Sequence, residues 1–294
     1  MASLRDLRRK IQGVKNIAKI TTAMKLVAAA KLRRAQAAIL SARPYAQKLE
    51  EILSLLVATS AEELIHPLLL KRETVRNILV VVISADRGLC GSFNTNVFRK
   101  FLGFLEERSG QQQGVTVQVI AVGKRAAEYF TKRHFPLLDT YPGIFQKLDY
   151  IYAQTIGKQV TNGFINEEFD EVYLIYNQFI SVMRQQVVVY KLLPIEPTTL
   201  PEAVSEHREY IFEPSQDQVL DALLPKHLNM QIWRALLESN AAEQAARMVA
   251  MDNATNNAHE LIRALQLTYN KTRQATITKE LLEIVSGAEA LKGS

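Results

Sequence analysis

Apolar residues recur at alternating spacings of three and four at both ends of this chain, and between those ends the pattern changes to short β-branched runs. In the first stretch Leu4, Leu7, Ile11, Val14, Ala18 and Thr21 are interrupted at Lys25. The series then resumes with Ala28, Leu32, Ala35, Ile39, Ala42, Ala46, Leu49, Leu53 and Leu56. This is a coiled-coil seam and predicts one helix from Ser3 to about Thr59. A second stripe, Ile17, Ile20, Met24 and Val27, widens the apolar face, so the helix should meet a further partner beyond its coiled-coil mate. Pro44 falls inside the pattern, where it should kink the helix or make it switch neighbours.

The stretch from Lys226 to Ser286 contains neither glycine nor proline. As one helix its roughly sixty residues would be about 90 Å long, more than an ordinary core can bury. The two ends are therefore expected to pair as an antiparallel coiled coil, with the rest of the chain a compact body at one end. Pro214 is placed to open the last helix, and Pro225 should kink its first turns. Ile232, Leu236, Ile262, Leu265 and Leu282 are good seam residues. The middle, Ser239 to Asn257, is rich in Ala, Asn, Ser and Asp with Arg247 embedded, and predicts a slender rod passing through something. The final seam, Thr272, Ala275, Lys279 and Ser286, is poor and should fray in isolation.

Between the helices, Thr74 to Ser84 (TVRNILVVVIS) reads as a buried parallel strand. The turn Ser84 to Asn94 (SADRGLCGSFN) leads to a helix ending near Gly110, then a strand at Val115 to Val122 and a helix containing Ala126, Ala127, Tyr129 and Phe130. A helix from about Tyr150 to Phe164 precedes strands at Glu171 to Tyr176 and Val187 to Leu192. Strands alternating with helices predict a small open, Rossmann-like α/β lobe. The expected domains are residues 1–60 and 214–294 for the coiled-coil helices, 74–193 for the lobe, and 194–213 for a proline-rich connector.

Charge adds a partner to this picture. The chain carries a formal net charge of +6, and up to Arg43 its bases are Arg5, Arg8, Arg9, Lys10, Lys15, Lys19, Lys25, Lys31, Arg33, Arg34 and Arg43 against Asp6 alone. Such a helix calls for a polyanionic partner: nucleic acid, a membrane surface or an acidic protein surface. No signal peptide is expected, and no apolar run reaches the length of a membrane span. Chemistry is scarce. Cys90 is the sole cysteine, which excludes an intrachain disulfide. His66, His134, His207, His227 and His259 are far apart in sequence, so no structural metal is expected. Gly88 and Gly91 lack the spacing of a dinucleotide fingerprint or a P-loop, and are read as permitting a tight turn with Asp86 and Arg87 exposed at its tip. No catalytic motif is present, and no cofactor is called for.

Four blocks carry a resemblance to a known family: Lys19 to Gln36 (KITTAMKLVAAAKLRRAQ), Ser84 to Asn94, Ala242 to Met251 (AEQAARMVAM) and Tyr269 to Ala290 (YNKTRQATITKELLEIVSGAEA). Together they resemble the gamma subunit of the rotary, F-type ATP synthase, over essentially the whole chain. The last block fits that family's C-terminal signature in Ile277, Thr278, Glu280, Glu283, Gly287 and Ala288. The resemblance implies a non-catalytic central-stalk rotor, its coiled coil inside a ring of alternating alpha and beta subunits. Its lobe would bind the epsilon subunit and stand on the membrane c ring. It would act as a peripheral protein of an energy-transducing membrane, bacterial plasma or thylakoid, with no nucleic acid and no small-molecule substrate of its own. By the same resemblance Met24 and Lys25 face the acidic lever of a beta subunit. Arg247, Gln274, Thr278 and Glu280 occupy a polar catch against beta-subunit loops, and Arg87 lies in the exposed lobe turn. The regulatory cysteine pair of plant chloroplast relatives is missing, which excludes that thiol switch. The alternative from another class is a basic coiled-coil nucleic-acid-binding protein.

Overall fold

The computed structural model describes residues 3–59, 66–111, 114–196, 213 and 215–292. Five helices, α1 (Leu4–Thr59), α2 (Phe93–Gln111), α3 (Lys124–Lys132), α4 (Tyr150–Ile165) and α5 (Gln216–Lys292), accompany five strands. These are β1 (Asn77–Ile83), β2 (Thr116–Val122), β3 (Leu137–Tyr141), β4 (Glu171–Phe179) and β5 (Gln185–Leu193). Helical assignment is unbroken at Pro44 and at Pro225. Of the connector prolines, Pro197, Pro201 and Pro214 lie outside the described residues. The chain divides into two compact units, one of Met1–Val27 with Met248–Ser294 and one of Ala28–Arg247.

The first unit is an antiparallel helix pair. Arg8 Nε donates to the Tyr269 hydroxyl at 2.8 Å, the hydroxyls of Thr21 and Thr255 meet at 2.7 Å, and Lys25 Nζ donates to Asp252 Oδ1 at 2.7 Å. Moving forward along α1 thus moves nearly residue for residue backward along α5. Leu7, Ala18 and Thr21 are buried on α1, as the seam pattern predicts, and Met251, Ala258 and Ile262 are buried on α5. Lys25, the interruption in that pattern, is matched by Asp252 across the seam. Both side chains remain 40% exposed or more, so this pair contributes at most about 1 kcal/mol.

That register corrects the expected end of the seam. Counting on from Ile262, Leu265 and Tyr269, the inward positions are Thr272 and Thr276, while Ala275, Lys279, Leu282 and Ser286 are exposed. With α1 beginning at Leu4 and Arg8 opposite Tyr269, no described residue of α1 lies opposite α5 beyond about Thr276. Every side chain from Ile277 to Ser286 is exposed, Ile277, Leu281, Leu282, Ile284 and Val285 among them.

The second unit is built on the sheet, in the order β3-β2-β1-β4-β5. The first four strands are parallel, and β5 runs antiparallel to β4. Both faces of β1 are covered, which explains its unbroken apolar run. Leu79, Val81 and Ile83 pack with Ile156, Val160 and Phe164 of α4 and with Leu224, Leu228 and Ile232 of α5. Ile78, Val80 and Val82 on the opposite face pack with Val97 and Phe101 of α2 and Phe130 of α3. Strand β3 was not anticipated; it is a short edge strand, partly buried and without clean alternation.

A second correction concerns α5. The stretch expected to be a slender rod begins as the most enclosed part of the helix: Ser239, Ala241, Ala242, Glu243, Gln244 and Ala245 are all buried within the unit. Small side chains let backbones approach closely, and here the approaching partner belongs to the same chain. Ala242 packs with Ala85, Cys90 and Phe93, joined by Phe179 and Ala246.

Candidate functional site

Surfaces, rather than a pocket with reactive groups, hold the candidate residues. In the first unit Ile17, Ile20, Leu26 and Val27 are each more than half exposed, although α1 already has a mate. Met24 and Lys25 stand beside them, half-buried. Around this apolar stripe the bases Arg5, Arg9, Lys10, Lys15 and Lys19 project into solvent. Arg8 is held over the Tyr269 ring, 5.3 Å from its centroid. The stripe and its basic border are suited to an acidic surface with an apolar centre. Gln274, Thr278 and Glu280 are exposed on α5, where the Thr278 hydroxyl donates to the backbone carbonyl of Gln274 at 3.0 Å.

The turn from Ser84 to Asn94 in the second unit is the other candidate. Its shape follows from polar groups that accept backbone N–H bonds. Asp86 takes those of Lys124 at 2.9 Å, Gly143 at 2.7 Å and Phe145 at 3.0 Å. Ser84 Oγ takes that of Ala126 at 2.7 Å, and Asn94 Oδ1 that of Ala85 at 2.9 Å. Asp86 is therefore a half-buried structural anchor, which corrects the expectation of an exposed tip carboxylate. Arg87 is exposed as expected. Leu89 and Gly91 adopt left-handed conformations, with φ of 64° and 60°, and complete the turn.

The same groups occupy the N-terminus of α3. The first N–H groups of α3 face Asp86, Ala85 O and Ser84 Oγ, so none points at a phosphate. The crevice beyond the carboxyl ends of β1 and β4, where doubly wound sheets take ligands, is filled by Ala242 and Ala246. Cys90 lies 1% exposed in that packing, and burial, reinforced by the nearby Glu243 carboxylate, pushes its thiol up from the ordinary range. It is a protonated core residue and a poor nucleophile.

Arg247 sits apart from the other residues of the expected catch. Its side chain is 11% exposed, with Nη1 donating to the Gly88 carbonyl at 2.6 Å and Nη2 to Glu243 Oε1. Gln274, Thr278 and Glu280 belong to the first unit and Arg247 to the second. Glu243, the Gly88 carbonyl, Asp252 and Tyr269 were not singled out from the sequence. Only the four-residue spacing from Glu243 to Arg247 on a helix hinted at any of them. Among the described residues no group of acidic, histidine or cysteine side chains is arranged to hold a metal. No helix among them is long and apolar enough to cross a membrane.

Residues 3–291 match the family model described as ATP synthase. The chain is 47% identical over 294 residues to the ATP synthase gamma chain of Chlorobium phaeobacteroides, covering 100% of both chains. It is 48% identical over 293 residues to that of Chlorobaculum tepidum, covering 99% of this chain and all of the other. The chain belongs to the ATP synthase gamma-chain family. A chain in the central stalk and c ring structure of the Tetrahymena thermophila mitochondrial ATP synthase is 28% identical, with a TM-score of 0.58, covering 80% of this chain and 99% of that one. The fold alone is shared, at 23% identity and a TM-score of 0.68, with a chain of the Euglena gracilis mitochondrial ATP synthase, covering 98% of this chain and 94% of that one.

Proposed function

We propose that this chain is the central-stalk rotor subunit of an F-type ATP synthase, carrying torque between the ion-driven c ring and the catalytic beta subunits. Ion transport is thereby coupled to ATP synthesis or hydrolysis. The subunit is not itself an enzyme: it changes which beta site is closed by turning an asymmetric surface past it. The observation that carries this reading is the end of α5, which no described residue of α1 faces. From Ile277 to Ser286 a single helix presents five large apolar side chains to solvent, and an isolated helix of that length is marginal in water. A ring of alpha and beta subunits closing around it supplies the missing packing.

In this reading Met24 and Lys25 meet an acidic lever of a beta subunit. Gln274, Thr278 and Glu280 make polar contacts with beta-subunit loops, and Arg87 offers its charge from the lobe turn. Arg247 belongs to the set through the turn that it grips rather than by direct contact. The lobe contacts the epsilon subunit and the c ring, which makes the chain a peripheral component of an energy-transducing membrane. Capture of the tagged full-length chain from its own membranes tests this. Alpha, beta, epsilon and c subunits are expected in fixed ratio, whereas nucleic acid in their place would overturn the reading.

A further inference from the structure

The lobe turn that presents Arg87 meets α5 through Arg247 and through an alanine-lined contact. Arg247 spans the joint, its guanidinium reaching the Gly88 carbonyl of the turn and the Glu243 carboxylate one helical turn back on α5. Both side chains are close to nine-tenths buried or more. Around them Ala242 and Ala246 fill the crevice against Ala85, Cys90, Phe93 and Phe179. α5 thus occupies, with alanines and one ion pair, the place where sheets of this class bind ligands. Alanine packing brings two surfaces close but has little angular preference. A planar guanidinium bonded to both sides fixes direction, which a lysine ammonium does less well.

We infer that Glu243 and Arg247 are positioning residues that lock the turn Ser84–Asn94 onto α5, so that Arg87 and the sheet turn with the helix instead of slipping around it. The inference rests on the rotor reading and deepens it. The lock acts under load: alanine contacts suffice to fold the unit, and the bonds of the guanidinium resist twist between α5 and the turn. Cys90 reports on the lock because it lies on the turn between Gly88 and Phe93, is 1% exposed, and is the only cysteine.

Arg247→Gln, Arg247→Lys and Glu243→Gln in the full-length chain test this with two readouts. In the isolated chain, the reaction of Cys90 with an aromatic disulfide reagent should be at least tenfold faster in Arg247→Gln and less accelerated in Arg247→Lys, with melting temperatures within a few degrees of the parent. In the reconstituted ATP synthase, ATP hydrolysis by Arg247→Gln is measured together with ion uptake. Ions taken up per ATP, followed with proton- and sodium-sensitive dyes, should fall at least threefold, with partial rescue by Arg247→Lys. An unchanged Cys90 rate in Arg247→Gln would overturn the lock. A faster Cys90 with full ion uptake per ATP would overturn its role in coupling. If Arg247→Gln does not fold, Arg247→Lys and Glu243→Gln carry the same two comparisons. The thiol rates are read without partners, so they decide the lock even if the parent chain fails to assemble, an outcome that would strike the rotor reading itself.

Discussion

Gly123 shows how little freedom single residues have in the lobe. Its φ is +89°, and a Cβ there would stand 2.3 Å from the Ser84 carbonyl oxygen, which cannot retreat because it is backbone. Gly123→Ala should therefore cost about 3 kcal/mol or more, read as a large drop in melting temperature. A milder case is Ala242→Leu, which overfills the crevice between α5 and the turn and should cost about 1–3 kcal/mol in a denaturant titration. His227 contributes a pH dependence. It is 7% exposed, and burial lowers its pKa below the ordinary 6.5, with Glu50 opposing. The groups lining the adjoining cavity are Glu50, Tyr190, Lys191, Glu196 and Arg234. The unfolded chain therefore takes up the proton first, so the stability that neutral His227 provides is complete above about pH 6.5 and is lost as the pH falls below it. His227→Gln should flatten the stability profile below pH 6.5 in parallel melts, leaving the slope from His66, whose pKa burial also lowers against the pull of Asp221. At this scale the exposure of Arg87 was legible in the sequence, whereas the role of Asp86 was not. Its N–H partners are 38 to 59 residues away, and no local pattern displays them.

Elements were legible where their period was long. The three-and-four pattern of α1 named its inward positions from Leu4 to Leu56, because a helix with one mate writes its contact line directly into the chain. The α5 pattern misled in two places, both times because the mate was assumed. From Ser239 to Ala245 the partner is the lobe, and beyond about Thr276 no described residue of α1 lies opposite. Strand β3 escaped notice because an edge strand is covered too little to impose a pattern. The antiparallel register can be tested by cross-linking in a Cys90→Ser background. Thr21→Cys with Thr255→Cys should form a disulfide on mild oxidation, since those hydroxyls are 2.7 Å apart, whereas Thr22→Cys with Thr255→Cys should not. Hydrogen exchange should separate the two ends of α5. Amides of β1 and β4 should be protected in the free chain, those from Ile277 to Lys292 should exchange fast, and the latter should slow markedly once alpha and beta subunits are present. An end already protected alone would contradict the proposal that the ring supplies its packing.

For the whole molecule, α5 supplies Gln216–Arg247 to the sheet-containing unit and Met248–Lys292 to the helix pair, and α1 likewise runs unbroken from the helix pair into the sheet-containing unit. That continuity, with the absence of reactive groups at the crevice and the exposed apolar surface of the first unit, is what a mechanical coupler requires. The most direct test is to watch it turn. With the alpha and beta subunits fixed to a surface and the chain labelled at Met183→Cys, an 80% exposed site on the lobe hairpin, in a Cys90→Ser background, a bead attached there should rotate in one direction when ATP is added and stop when it is removed. A bead that stays still while the beta subunits continue to hydrolyse ATP would contradict the account.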